Sequence, residues 1–239
     1  MAYVRIRVPS EIVRGTSPKE LTDVVSRYYA EKTASAQIGT INLQPADNGA
    51  VKTQSPWILY FNDLEKAMIS APDVYQAGKY ASDEVLDSLR KDFNESWLVL
   101  STRTIYSGNN LSGRIIHNYG SEVVKPSQRD VKVIPVYEGT PLAQALWDKE
   151  GVEYIQSLLD TRDDTKEITG TLEKISGKMS DNISLWTPSQ SSRKNYSERA
   201  VGFGGGYGRF RVVGYDFIVG LHGRSRGVSM GPRSGREKK

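Results

Sequence analysis

Residues 199–215, RAVGFGGGYGRFRVVGY, decide how the C-terminal part of the chain can fold. Most of the glycines form one cluster between two runs in which apolar residues alternate with other residues, a pattern typical of two β-strands joined by a tight turn. Glycine at such a place permits a positive φ angle, or lets another part of the chain come close to the backbone. The stretch therefore predicts a β-hairpin.

The same glycines do not form a phosphate-binding loop. A dinucleotide fingerprint needs G-x-G-x-x-G between a strand and a helix, but a motif that starts at Gly202 or Gly204 has Tyr207 or Arg209 in its sixth position. A Walker A loop needs Gly-Lys-Ser or Gly-Lys-Thr, and neither follows the cluster. The segment after the glycines also alternates like a strand, so we assign the glycines a structural role.

Outside this hairpin, strands and helices are predicted in blocks rather than in regular alternation, which favours an α+β fold over a parallel α/β fold. The mixed or antiparallel sheet is expected to have several packed helices, a C-terminal β-meander and a basic tail. Predicted strands are 3–8, 38–43, a hairpin of 96–106 with 114–124, 131–137, 182–188, and a meander of 199–203, 209–215 and 216–221. Predicted helices begin at Ser17, Ser82, Pro141, Val152 and Asp164, whereas 57–61 is either a strand or the start of a helix.

Three parts follow from this pattern. Residues 1–192 form an α+β body, and residues 193–223 form the meander, which we expect to pack on the body. Residues 224–239, RSRG onwards, have lost apolar periodicity and have the composition of a flexible basic tail.

Composition excludes several classes of protein. The chain has 239 residues, of which 38% are hydrophobic and 25% charged, too apolar for disorder along its whole length. It has no apolar run long enough to span a bilayer, no pattern of a signal peptide, and no cysteine for a disulfide or a thiolate metal site. We expect a cytoplasmic protein, or a part of an assembly made in the cytoplasm.

The charge is unevenly distributed. From Arg193 to the end there are 11 Lys and Arg residues and three acidic residues, which gives a net charge of +8. Because the whole chain carries +4, the part before Arg193 carries −4. A basic region of this kind attracts phosphates or an acidic protein surface. The candidate anion-binding residues are Arg193, Lys194, Arg209, Arg211, Arg224, Arg226, Arg233, Arg236, Lys238 and Lys239.

Aromatic residues are interleaved with these cations and could stack on unpaired bases. They are Tyr196, Phe203, Tyr207, Phe210 and Tyr215. Because side chains alternate along a strand, Arg209 and Arg211 are expected on one face and Phe210 on the other, in the core.

Catalytic patterns are weak. Gly223 to Gly227 matches G-x-S-x-G, but a nucleophile elbow needs a later histidine, and both His117 and His222 come earlier. The pair Asp130 and Lys132, with an earlier acid such as Asp73 or Glu122, resembles the core of metal-dependent nucleases, in which carboxylates hold Mg²⁺.

Three hypotheses of function result. The first is a non-enzymatic binding protein whose basic C-terminal region contacts DNA, RNA or a nucleoprotein assembly, with no cofactor, metal or membrane. The second is a structural or virion-type assembly protein whose tail docks on a neighbouring subunit, in a homo-oligomer or on another acidic protein surface. The third is the nuclease around Asp130 and Lys132.

Overall fold

The computed structural model describes residues 40–41, 50–107, 111–189, 196–206, 208–217 and 223–229. The predicted strand 3–8 and the helix predicted from Ser17 lie outside these residues. The described part has an α+β fold, as the sequence predicts, with helices on a largely antiparallel sheet.

The main sheet has the strand order β5-β4-β3-β8-β9-β7-β6, and all neighbours are antiparallel except β7 and β9. A smaller sheet has the order β1-β10-β2. The strands are β1 (Thr40–Ile41), β2 (Ala67–Met68), β3 (Trp97–Ser107), β4 (Gly113–His117), β5 (Ser127–Val131), β6 (Glu138–Pro141), β7 (Ile183–Trp186), β8 (Tyr196–Gly206), β9 (Arg209–Phe217) and β10 (Gly227–Ser229).

Helices cover one face of the main sheet and enclose the larger hydrophobic core with it, in which Leu98, Leu100 and Phe203 are fully buried. The first helix lies elsewhere, against the opposite face. The helices are α1 (Gln54–Asp63), α2 (Ala71–Tyr80), α3 (Asp83–Glu95), α4 (Leu142–Ala145), α5 (Lys149–Leu159) and α6 (Thr165–Ser176).

The opposite face of the sheet is covered only in part by described residues. Val99 of β3 and Ala200 of β8 pack there with a second core cluster that includes Trp57 and Phe61 of α1 and Met68 of β2. The register of the strands shifts near these two residues, between Val99 and Arg103 of β3 and between Ala200 and Gly202 of β8.

The glycine cluster forms the predicted hairpin between β8 and β9. Gly208, at the turn, has a φ of +78°, which favours glycine, and a Cβ atom on Gly204 would collide with the Trp97 ring. Phe210 points into the core and contacts Phe93 edge to face at 5.0 Å between ring centroids, as predicted.

The predicted third strand of the meander, 216–221, lies mostly outside the described residues. Asp216 and Phe217 continue β9, whose other neighbour is β7 in parallel orientation, and residues 218–222 lie outside the described part. Pairing with β7 joins distant parts of the sequence, so local alternation could not reveal it.

Two further differences concern residues 71–80 and 131–137. The former is helix α2, which the sequence did not predict and which a capping box between Ser70 and Asp73 begins. The predicted strand 131–137 is wrong, since β5 ends at Val131 and β6 begins at Glu138. Between these strands the chain runs irregularly past Pro135, with Ile134 and Tyr137 buried as core side chains.

Other predictions agree with the structure. The predicted hairpin forms from β3 and β4, although its second strand, predicted as 114–124, ends at His117. Helix α3, helix α6 with its cap at Asp164, and strand β7 are also present. The ambiguous run 57–61 belongs to helix α1.

Residues 223–229, which the sequence assigns largely to a flexible tail, are part of the packed body. Gly223 and Arg224 form backbone bridges to Lys52 and Leu98, and residues 227–229 form the central strand of the smaller sheet. A Cβ atom on Gly223 would collide with the Trp97 carbonyl oxygen, so this approach to β3 requires glycine. A tail can begin only after Ser229.

Candidate nucleic-acid interface

Two of the predicted anion-binding arginines are used inside the protein. Arg226 is 1% exposed, and its Nε donates to the equally buried Asp92 Oδ2 at 2.6 Å. Arg224 is partly buried, and its Nη1 lies 2.6 Å from Glu95 Oε2 and 3.5 Å from Asp92 Oδ1. These guanidinium groups fasten residues 223–229 to helix α3, and therefore do not form a receptor for an external anion.

Arg209 and Arg211 remain at the surface. Arg209 is exposed and Arg211 is half-buried, and neither has a carboxylate within ion-pair distance among the described residues. Their strand positions alternate with the core residues Phe210 and Val212, so both lie on the face away from the helices, as predicted. The other predicted members lie outside the described residues, namely Arg193, Lys194, Arg233, Arg236, Lys238 and Lys239.

The two ends of β8 are far apart. The register pairs Gly206 with Arg209 at one end of β8, whereas Tyr196 begins the other end. Ten residues of strand at about 3.3 Å each separate the two ends by about 33 Å. Tyr196 and Arg209 therefore lie at opposite ends of the β8–β9 hairpin.

The catalytic candidates have structural roles. Ser225 of the G-x-S-x-G match is fully buried, and its hydroxyl donates to the Val99 carbonyl oxygen at 2.9 Å, so it is not an accessible nucleophile. His117 is also buried, with Nδ1 3.2 Å from Thr102 Oγ1 and Nε2 3.1 Å from the Ser157 carbonyl oxygen.

The carboxylates of the nuclease hypothesis are not brought together. Asp130 Oδ1 accepts from Arg114 Nε at 2.7 Å, while Asp73 accepts from the Ser70 backbone N–H at 2.8 Å as part of the helix cap. Burial raises the pKa of Asp73 above its usual range. In the described part of the chain, no group of three or more His, Asp or Glu side chains could hold a metal ion.

The register of four strands instead shows a different surface, on the face away from the main helix layer. Ile105 of β3 lies opposite Arg114 of β4 on one side and Glu198 of β8 on the other, and Arg114 lies opposite Asp130 of β5. Directly opposite residues point to the same face of a sheet. We call the part of this face that carries Ile105, Arg114, Asp130, Lys132 and Tyr196 the open face.

The open face contains a cavity of about 520 Å³. Its lining includes Ile105, Gly113, Arg114, Asp130, Lys132 and Tyr196. The volume is within the range of about 300–1,000 Å³ that is usual for small-molecule sites. Lys132 is exposed and, among the described residues, has no carboxylate within ion-pair distance.

Tyr196 at the rim is 65% exposed, but its ring is held in place. The hydroxyl donates to Glu198 Oε1 at 3.0 Å, and Glu198 Oε2 accepts from Arg103 Nη1 at 2.7 Å. The hydrogen bond to Glu198 raises the pKa of the Tyr196 phenol, which stays protonated and continues to donate. The Tyr196 side chain is therefore oriented by a hydrogen bond and still largely exposed.

Arg103 connects this arrangement to the interior. Its Nε donates to Gln54 Oε1 at 2.9 Å, and its guanidinium carbon lies 3.5 Å from the centroid of the Tyr119 ring. Gln54 in turn donates to the carbonyl oxygens of Leu100 and Thr102 at 2.7 and 2.8 Å. The network ties the exposed Tyr196 to the buried middle of β3.

The sequence pointed to Lys132 as part of a nuclease site and to Tyr196 as an aromatic residue of the basic C-terminal region. It did not indicate Arg114. The signal was present in part, because the predicted hairpin places Arg114 on a strand opposite residues 103–106. The pairing of β3 with β8, which brings Tyr196 to the same surface, depends on residues about 90 positions apart and is not readable from local patterns.

Comparisons with protein-family models, with curated proteins and with solved structures found no match to this chain. In the described residues, no helix is both long and apolar enough to cross a membrane. The interpretation of the open face therefore depends on its own chemistry.

Proposed function

We propose that the protein is a non-enzymatic binding protein that contacts nucleic acid, alone or within a nucleoprotein assembly in the cytoplasm, through the open face. The observation that carries the proposal is the cavity of about 520 Å³ whose lining includes the exposed Tyr196 and two cationic side chains, Arg114 and Lys132, together with Asp130. Cations contact phosphates, and aromatic faces stack on bases, a combination typical of nucleic-acid grooves.

The charge near the cavity supports this proposal. Glu198 already accepts hydrogen bonds from Arg103 and Tyr196, so its charge is compensated within the protein. Asp130 faces Arg114, but both side chains are largely exposed, and such surface ion pairs contribute only about 0–1 kcal/mol. A phosphate can therefore compete with Asp130 for the Arg114 guanidinium.

The chain adds cations at the Tyr196 end of the face. Arg193 and Lys194 precede Tyr196 by three and two residues, a distance of at most about 11 Å of extended chain. Arg209 and Arg211 lie on the same side of the sheet at its far end. The proposal therefore keeps Arg193, Lys194, Arg209 and Arg211 of the predicted basic region as anion-binding residues. It assigns Arg224 and Arg226 to the interior.

The test is the salt dependence of binding of the full-length protein to labelled mixed-sequence DNA and RNA, measured by fluorescence anisotropy between about 50 and 200 mM salt. We expect Arg114→Gln combined with Lys132→Gln to weaken binding and to reduce the slope of log K against log salt by about 1 for each lost phosphate contact. A variant without the charges of Arg233, Arg236, Lys238 and Lys239 measures how much residues 230–239 contribute to the affinity for nucleic acid.

The matched control is Lys149→Gln combined with Lys166→Gln. These two exposed lysines lie on the helix layer, on the other side of the sheet, and the double variant removes the same total charge. Equal weakening by both pairs would show a general charge effect without a site on the open face. Absence of binding to either nucleic acid at the lowest salt concentration would refute the proposed function.

A further inference from the structure

Tyr196 is the least expected part of the open face. Its ring is 65% exposed, although packing is what usually fixes an aromatic ring. Here two carboxylate oxygens of Glu198 fix it instead, one accepting from Tyr196 and the other from Arg103, whose side chain is only 6% exposed. The protein therefore orders a ring that remains available to a ligand, which lowers the entropic cost of binding.

A double helix has no free base face that could stack on the Tyr196 ring. Its bases are stacked on one another, so it offers phosphates and base edges to a flat surface, but no free base face. An unpaired base has two free faces, and stacking on an aromatic side chain is the common mode by which proteins bind single strands with little sequence preference.

We infer that the open face binds single-stranded nucleic acid, with one unpaired base stacked on Tyr196 and adjacent phosphates on Arg114 and Lys132. This inference depends on the proposed function and specifies its substrate class. Glu198 is a positioning residue in this scheme, since it orients Tyr196 and contacts no ligand.

The cavity is suited to this mode of binding. Its lining combines an apolar side chain, Ile105, on which a base can lie, with the cations of Arg114 and Lys132. Ser107, directly opposite Tyr196 in the register, also belongs to the lining. Apolar and cationic side chains in one lining match the two parts of a nucleotide.

The experiment compares the affinity of the full-length protein for mixed-sequence single-stranded DNA, single-stranded RNA and duplex DNA of equal length. We expect tighter binding to the single strands. Tyr196→Ala should weaken single-strand binding about tenfold or more, leave duplex binding unchanged, and leave the salt slope unchanged because stacking releases no counterions. The two single-stranded probes distinguish DNA from RNA.

Two further variants separate stacking from general damage to the fold. Tyr196→Phe keeps the ring and should retain most of the affinity, whereas Glu198→Gln should weaken single-strand binding less than Tyr196→Ala does. Thermal unfolding of each variant checks that the body is intact. If Tyr196→Ala binds single strands as tightly as the original chain, or if the duplex binds as well as the single strands, the inference is wrong.

These outcomes differ from failure of the proposed function. Loss of binding in the Arg114 and Lys132 double variant, together with an unchanged affinity in Tyr196→Ala, would leave nucleic-acid binding standing and refute only the single-strand mode. Absence of binding to all three probes would refute both.

Discussion

Arg226 and Asp92 are 134 positions apart in the chain, but their side chains meet at 2.6 Å in the interior. A run of basic residues near the end of a sequence gives no sign that one of them has a buried partner so far away. The total charge of the C-terminal region could be predicted from composition. Whether each cation is exposed or paired in the interior depends on tertiary contacts.

His117 has a structural role that its hydrogen bonds define, since it is buried on β4. Thr102 Oγ1 accepts from the Ala71 backbone N–H at 2.9 Å, so its hydroxyl hydrogen is free to be donated to His117 Nδ1. The proton of the neutral ring is then on Nε2, which donates to the Ser157 carbonyl oxygen.

The pH dependence of stability follows from this arrangement. Burial lowers the pKa of His117 below its usual 6.5, although the charge of Asp160 and the bond to Ser157 oppose this shift and Arg129 adds to it. In the pH window just below 6.5 the unfolded chain therefore binds more protons, so the free energy of unfolding decreases as pH falls.

We expect His117→Gln to remove this part of the pH dependence. Urea unfolding at several pH values between about 7.5 and 5 measures it, and the slope of stability against pH is compared rather than the absolute stability. A variant with the same loss of stability on acidification as the original chain would contradict the assignment.

At the scale of elements, local signals predicted most helices that have clear caps. Asp164 accepts from the Glu167 backbone N–H at 2.8 Å and Gly177 ends the same helix, both as predicted. Two predictions of elements were wrong. Residues 71–80 form a helix that Pro72 and Gly78 make hard to recognise in the sequence. Residues 131–137 place apolar side chains in the core without forming a strand. Burial, not strand pairing, explains the second pattern.

Two helical glycines provide a matched test of packing at this scale. A Cβ atom on Gly170 of α6 would meet nothing within 4 Å, whereas one on Gly78 of α2 would collide with the Ile175 side chain. Gly170→Ala should stabilise the protein by about 1 kcal/mol through helix propensity. Gly78→Ala should destabilise it, because helices α2 and α6 pack closely at this point.

Chemical denaturation of the two variants measures the difference. If both substitutions stabilise the protein, the close packing of α2 on α6 is wrong. If neither substitution changes the free energy of unfolding, the predicted contrast between the open site at Gly170 and the packed site at Gly78 is wrong.

At the scale of the whole molecule, the fold class could be predicted and the arrangement of the open face could not. The block order of strands and helices is a local property, and it gave α+β. The open face needs the register of β5, β4, β3 and β8, so Arg114, Lys132 and Tyr196 become neighbours only after the sheet has formed.

The placement of residues 223–229 leads to a test with two truncated chains. A chain that ends at Met230 keeps every described strand and the Asp92–Arg226 pair, so it should unfold at nearly the same urea concentration as the full chain. A chain that ends at His222 leaves Asp92 buried without Arg226 and removes the centre of the smaller sheet. We expect it to be severely destabilised, by at least about 3–5 kcal/mol.

Arg226→Ala in the full-length chain is the finer version of this test, since it removes the charge pair and keeps the strand. It should lose about 3–5 kcal/mol in the free energy of unfolding. If the chain ending at His222 is as stable as the one ending at Met230, residues 223–229 do not contribute to the body.

The closure of the body by residues 223–229 also has a consequence for biosynthesis. A ribosome makes a protein from its N-terminus, and most domains begin to fold while synthesis continues. Here Arg226 is translated more than 130 codons after its partner Asp92. A chain released before that point lacks the cation that pairs with Asp92, and we expect it to be less stable than the full chain.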